Sequence, residues 1–203
     1  MAEDGANVVL ACRTQQKCAT AIEQIEQATA DKNKLLQVQH KPTITLGKLD
    51  IMEVDMADQA SIRSAVTAFL KDHDKLDVLV HNAGIMATPY GTVPWTDADG
   101  TVTQVEKQFA TNHIGPYFMT GLLKDILEKT PNSRVINHSS SASAFCPVTE
   151  LTPFITVSES DFMTTDTYGC TKRANRYFTF GLNQRLNNVC NAVSIVMSTP
   201  LCL

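Results

Sequence analysis

Short apolar runs alternate with longer stretches of helical periodicity along this chain. Residues 7–11, 51–55, 77–80, 133–139 and 191–197 carry Val, Ile and Leu in runs of strand length. Between the first two runs, residues 15–30 place Cys18, Ile22, Ile25 and Thr29 on one helical face. Residues 58–70 read as a helix opened by Asp58 or Ser61. Residues 102–128 read as one long helix with Pro116 inside it, where the ring either kinks the helix or is tolerated. Phe178, Leu182 and Leu186 recur at four-residue spacing and give an apolar stripe to a helix whose first turns hold Tyr168. Residues 31–49, 86–101 and 145–166 hold the Pro, Gly and polar residues of connections. Strands alternating with helices predict an α/β fold with a parallel sheet.

The polar residues that interrupt this pattern gather at the ends of strands. His81-Asn82-Ala83-Gly84 follows the run at 77–80, and Asn137-His138-Ser139-Ser140 closes the run at 133–139. Thr111-Asn112-His113 lies between them in the predicted long helix. Tyr168 and Lys172 stand four residues apart, so phenol and ammonium share one helix face. A phenol with a solution pKa of about 10 is a poor base at neutral pH, and a nearby cation favours its phenolate. The pair is a candidate for proton transfer.

Taken in order, Asn82-Ala83-Gly84, Asn112, Ser139-Ser140 and Tyr168-x-x-x-Lys172 resemble the short-chain dehydrogenase/reductase family. Ala11-Cys12-Arg13, the stretch from Tyr168 through Asn175, and the 28 positions separating Ser140 from Tyr168 resemble its retinol-dehydrogenase-like branch. The resemblance runs from about Gly5 to about Met197. It implies a doubly wound parallel sheet of Rossmann type. It also implies an oxidoreductase that interconverts an alcohol and a carbonyl compound, such as a retinoid, a steroid or a lipid aldehyde.

On that resemblance Tyr168 is the general acid/base, and Lys172 lowers the phenol's pKa and holds the nicotinamide ribose. Ser140 polarises the substrate carbonyl, and Asn112 holds a water that links Lys172 to solvent. Asn82, Ala83 and Gly84 line the cofactor together with Tyr168 and Lys172, Gly84 permitting a close backbone approach. Arg13 matches a position that binds a 2′-phosphate, which favours NADP(H) over NAD(H); a solvated surface arginine is the other reading. Asp55 either lies beside the adenine or caps the following helix.

By the same resemblance, residues 7–11 form the second strand of the family's sheet. The first strand with its glycine-rich, phosphate-binding turn has no counterpart among the 203 residues, nor has the C-terminal substrate-covering segment. In the strand order 3-2-1-4-5-6 the lacking strand would stand between 7–11 and 77–80. Residues 1–203 therefore read as a single incomplete dinucleotide-binding domain. Two functions follow from this. One is an NADP(H)-dependent oxidoreductase; the other is a truncated, non-catalytic remnant that keeps the tetrad and does not bind cofactor.

Composition changes this picture little. A chain that is 43% apolar and 19% charged is an ordinary globular one. A net charge of −4, without a long Lys/Arg cluster, argues against a nucleic-acid partner. No run approaches eighteen apolar residues, so no transmembrane span is expected. Cys12, Cys18, Cys146, Cys170, Cys190 and Cys202 form no C-x-x-C pair and the five His no H-x-x-x-H, so no metal centre is expected. The cysteines read as reduced thiols of a cytoplasmic protein. Asn137-His138-Ser139 fits a glycosylation sequon but lies in a strand predicted to be buried. The expected partner is a small-molecule alcohol or carbonyl substrate, and a homo-oligomer is left open.

Overall fold

A computed structural model describes residues 1–147, 150–186 and 190–197, the last of these as backbone. Residues 198–203, where the family's substrate-covering segment would begin, lie outside the described residues. The chain divides into two compact units, Met1–Asp55 and Met56–Leu203.

The first unit holds a 3-10 turn (Ala2–Asp4), strand β1 (Val8–Cys12), helix α1 (Gln15–Val38) and strand β2 (Leu49–Glu53). β1 and β2 pair in parallel, from Val8 opposite Leu49 to Cys12 opposite Glu53. A parallel pair requires a crossover, and α1 supplies it. The Thr14 side chain accepts from Lys17 N at the helix start. α1 runs on to Val38, past the boundary expected at residue 30, because no Gly or Pro intervenes before Pro42. Asp31 also holds Gln27 Nε2 at 2.9 Å and Lys34 Nζ at 2.8 Å along the helix surface. The connection after α1 is pinned by Asn33, whose Nδ2 donates to Ile44 O at 2.9 Å while Ile44 N donates to its Oδ1 at 2.7 Å.

The second unit begins with helix α2 (Gln59–Asp72) and strand β3 (Val78–His81). Asp58 caps α2, its carboxylate accepting from Ala60 N and Ser61 N. An antiparallel hairpin follows, β4 (Thr92–Thr96) with β5 (Val102–Glu106), and it corrects two expectations. Residues 86–101 are not all loop, and 102–128 are not one helix. Exposure alternates along the strand, with Val102 and Gln104 turned out and Thr103 and Val105 turned in, and Val93 stands opposite Val105 with Trp95 opposite Thr103. Val105 and Trp95 are buried, so burying them decides the strand.

Helix resumes at α3 (Lys107–Phe109), widens into a π-helical turn (Ala110–Ile114), and continues as α4 (Gly115–Leu122) and α5 (Lys124–Lys129). The expected disturbance at Pro116 takes this form: the proline sits in the first turn of α4, where its missing N–H costs least. Strand β6 (Ser133–Ser140) leads through a 3-10 turn (Ser141–Phe145) and the short α6 (Thr152–Ile155) to α7 (Thr164–Arg185), which strand β7 (Cys190–Met197) follows. α7 starts a turn before Tyr168. β6 is the middle strand of a parallel sheet, with β3 on one edge and β7 on the other. Asn137, the sequon residue, is fully buried in it.

Cys12 bonds to Cys18 across the start of α1, and Cys146 bonds to Cys170 of α7, with Cα separations of 5.7 and 4.7 Å. The expectation of reduced thiols fails for these four residues, because folding brings together cysteines that no local motif pairs. The ground for a cytoplasmic location falls with it. Among the described residues no helix is long and apolar enough to cross a membrane.

Candidate active site

The site forms where two strands part. β3 pairs with β6 only as far as His81 opposite Asn137, whereas β6 stays paired with β7 to Ser140 opposite Met197. The His138 carbonyl, one residue beyond the β3 ladder, accepts from Lys172 Nζ at 3.3 Å and from Asn175 Nδ2 at 3.0 Å. The two serines that end β6 have different surroundings. Ser139 is buried, and its hydroxyl donates to Lys172 O at 2.8 Å, fastening α7 to the strand. Ser140 is half-buried; its Oγ accepts from Ala142 N at 3.2 Å, and its hydroxyl acts on the Tyr168 phenol by lowering that group's pKa.

Asn112 lies in the π-helical turn, almost wholly buried. Its Oδ1 accepts from Ile85 N at 2.7 Å, and its Nδ2 donates to Ile85 O at 2.8 Å and Thr171 Oγ1 at 3.2 Å. The carboxamide thus clamps the segment just after Gly84. Asn82, Ala83 and Gly84 are exposed beyond β3. A Cβ on Gly84 would stand 3.3 Å from Asn112 Oδ1 and 3.4 Å from Lys172 Nζ. The glycine keeps an open approach to the ammonium.

Burial governs the two titrating groups. Lys172 is 5% exposed, and desolvation pushes its ammonium down to about 8. Desolvation pushes the Tyr168 phenol up, with the hydrogen bond from Ser140 pulling the other way. The net direction is opposite to that expected from a neighbouring cation, because Lys172 Nζ stands 5.5 Å from the ring centroid while the ring loses water. His138, beside Lys172, is pushed down by burial and by that cation.

α7 approaches the turn after β6 closely. A Cβ on Gly169 would meet Ala142 O at 2.6 Å and Cys146 N at 3.3 Å, and the Cys146–Cys170 bridge joins the same two segments. Ser140 and Tyr168, far apart in the chain, are held together there. The structure therefore gathers Gly84, Asn112, Ser140, Tyr168 and Lys172 in the second unit. Arg13, exposed just past β1, and Asp55, half-buried just past β2, belong to the first unit. Asn175, Thr171 and the Cys146–Cys170 bridge are parts of the site that the sequence pattern did not single out.

The geometry is that of a family, and the chain belongs to it: a short chain dehydrogenase family model matches residues 1–200. Within the family the chain is retinol-dehydrogenase-like. It is 34% identical over 142 residues to human retinol dehydrogenase 13, covering 70% of this chain and 36% of that protein. It is 29% identical over 194 residues to mouse retinol dehydrogenase 14, covering 95% of this chain and 53% of that one. The chain thus spans about a third to a half of the length of these relatives. Solved structures share the fold. A metagenomic short-chain oxidoreductase in complex with NADP aligns with a TM-score of 0.64 at 17% identity, over 98% of this chain and 73% of that one. The alcohol dehydrogenase of the archaeon Thermococcus sibiricus, complexed with 5-hydroxy-NADP, aligns at 0.58 and 16% identity, over 95% and 66%.

Proposed function

We propose that this chain works as an NADP(H)-dependent oxidoreductase that interconverts an alcohol and a carbonyl compound of retinoid, steroid or lipid-aldehyde type. The observation that carries this reading is the convergence of Ser140, Tyr168, Lys172 and Asn112 beside the open shoulder at Gly84. The donor set suits the ribose end of a nicotinamide nucleotide. Among the described residues, Lys172 Nζ has one hydrogen-bond acceptor, His138 O, which leaves ammonium protons for ribose hydroxyls. Gly84 leaves the approach open. Lys172 and the exposed turn from Asn82 to Gly84 would hold that end. Arg13 is assigned to a 2′-phosphate and Asp55 to the adenine. When bound, the nicotinamide supplies the hydride.

The rest of the chemistry falls to side chains. Tyr168, kept protonated by burial, gives its proton to the carbonyl oxygen as reduction proceeds, and accepts one back in oxidation. Ser140 donates to the same oxygen and stabilises charge as it develops there. Lys172 faces the phenol's ring and steadies the phenolate once the proton has left. The Asn112 side chain is committed to Ile85 and Thr171 and its main-chain carbonyl accepts from Asn175 Nδ2, so a relay water would use the second lone pair of that carbonyl.

The test is turnover of retinal, a ketosteroid and a medium-chain aldehyde by the purified protein, with NADPH and NADH compared and product identified by chromatography. Carbonyl-dependent oxidation of NADPH, weakened on Arg13→Ala, is the expected result. Oxidation of neither nucleotide with any of the three substrates overturns the reading, and equal rates with both overturn the cofactor preference.

A further inference from the structure

Asn175 stands one helical turn beyond Lys172 on α7 and is 3% exposed. Each polar atom of its carboxamide is engaged. Nδ2 donates to the carbonyl of Asn112 and to the carbonyl of His138, both at 3.0 Å, and Oδ1 stands 3.0 Å from His113 Nδ1. Two carbonyls facing one end of the amide settle which end is nitrogen. An amide oxygen only accepts, so His113 carries its proton on Nδ1. Burial pushes the His113 pKa down, against the hydrogen bond to Asn175, and so favours the neutral ring.

The chain explains why each carbonyl is available. Pro116 stands four residues after Asn112 and has no N–H, so the Asn112 carbonyl lacks the donor that an α-helical turn would supply. The His138 carbonyl lies one residue past the end of the β3 ladder. Asn175 reaches both. It also shares the His138 oxygen with Lys172 Nζ, so the carboxamide and the ammonium meet on one acceptor. The other titratable groups around Lys172 are Tyr168 on the same helix and His138 on β6.

We propose that Asn175 is a positioning residue of the site: it fixes the carbonyl that holds the Lys172 ammonium, and through the carbonyl of Asn112 it locks the π-helical turn to α7. The proposal deepens the functional reading above and rests on it for the role of Lys172. Its geometry makes predictions that need no turnover. The Asn175 carboxamide protons exchange slowly with solvent. Because the carboxamide shares an acceptor with Lys172, its nitrogen resonance follows the titration of that lysine, with a midpoint near 8.

The experiment is nitrogen–proton NMR of the whole chain across pH 6 to 10, with Lys172→Met as the reference. The expected result is a slowly exchanging Asn175 carboxamide whose titration step disappears in that variant. A second variant, Asn175→Asp, keeps the shape and puts a carboxylate next to the ammonium. Residue-specific acetylation read by mass spectrometry should then show the Lys172 pKa raised by about one unit or more. A carboxamide that exchanges at solvent rates or shows no inflection tied to Lys172 overturns the proposal. So does an unchanged Lys172 pKa in a folded Asn175→Asp. If that variant does not fold, the NMR result on the unaltered chain decides. Absence of turnover with every carbonyl substrate would refute the proposed activity and leave these results standing.

Discussion

α1 and α7, of 24 and 22 residues, are the two longest helices among the described residues, and they bury different things. α1 buries only Cys18 and Thr29, and its surface is laced with local contacts such as Asp31 with Gln27 and Lys34. α7 buries eight residues, among them Thr167, Thr171, Lys172, Asn175 and Thr179. Taking polar groups out of water is costly unless they are paired. α7 pairs most of its own: Thr171 donates to Tyr168 O, Thr179 accepts from Asn137 Nδ2, and Lys172 and Asn175 meet at His138. Helix propensity and a thin apolar contact suffice for a helix that buries so little. A helix that buries a lysine and an asparagine needs a surrounding network to hold them, and that network surrounds the candidate site.

Breaking the chemistry on α7 should give the largest effect. Tyr168→Phe is expected to lose about 10²–10⁴-fold of turnover with an unchanged circular dichroism spectrum. Retention of more than about a hundredth of the activity would remove the phenol from the proton transfer.

The buried lysine comes next. Its folded pKa of about 8 lies below its ordinary 10.5. Between those values the unfolded chain keeps a proton that the folded chain has released. Stability therefore grows as pH rises through that window, and below about 8 the cost of the buried ammonium is fully present. The gain from pH 8 to 10 should be on the order of 2 kcal/mol. Above pH 10 the raised Tyr168 pKa works in the opposite direction, since the folded state resists phenolate formation. Denaturant melts at pH 8, 9 and 10 give the slope, and Lys172→Met should flatten it. The exposed Lys34 of α1 should leave the slope unchanged when replaced by Met.

Gly169→Ala places a methyl 2.6 Å from the Ala142 carbonyl oxygen, a backbone atom with little room to yield. A loss of about 1–3 kcal/mol is expected by denaturant unfolding. A neutral result would show that the turn after β6 moves freely against α7. At the other extreme, Leu35 of α1 is 65% exposed, and Leu35→Ala should change stability by no more than about 0.5 kcal/mol. A larger change there would show that α1 packs against something in solution.

Much of the fold, and the residues that converge at the candidate site, are legible in the sequence. Strand ends that switch from Val and Ile to Asn, Ser or Gly are visible in a linear chain, and Tyr168 with Lys172 needs only helical spacing. What stayed hidden depends on partners. Val102, Val105 and Phe109 recur at helical spacing, and only the pairing of Val102–Glu106 with Thr92–Thr96 overrides it. The apolar stripe from Phe178 to Leu186 located α7 and missed the face that matters, because the buried face is largely polar. Proximity of a cation to Tyr168 was legible and the dehydration of its ring was not, so the direction of its pKa shift came out reversed. Asn175 left a faint trace. A proline four residues after Asn112 removes the α-helical donor from its carbonyl, without saying which residue takes that place.

The bond between Cys146 and Cys170 closes a ring over a sequence separation of 24. Ser140 stands just ahead of the ring, with Tyr168 just inside its far end and Lys172 just beyond it. A protease that cuts within the excursion, for example after Phe154, severs the main chain without releasing either part. The molecule would run as one piece until a thiol is added and as two afterwards. Serine and tyrosine would stay tethered to each other across the break, so the excursion can be opened, trimmed or varied in length while the two ends it connects remain joined.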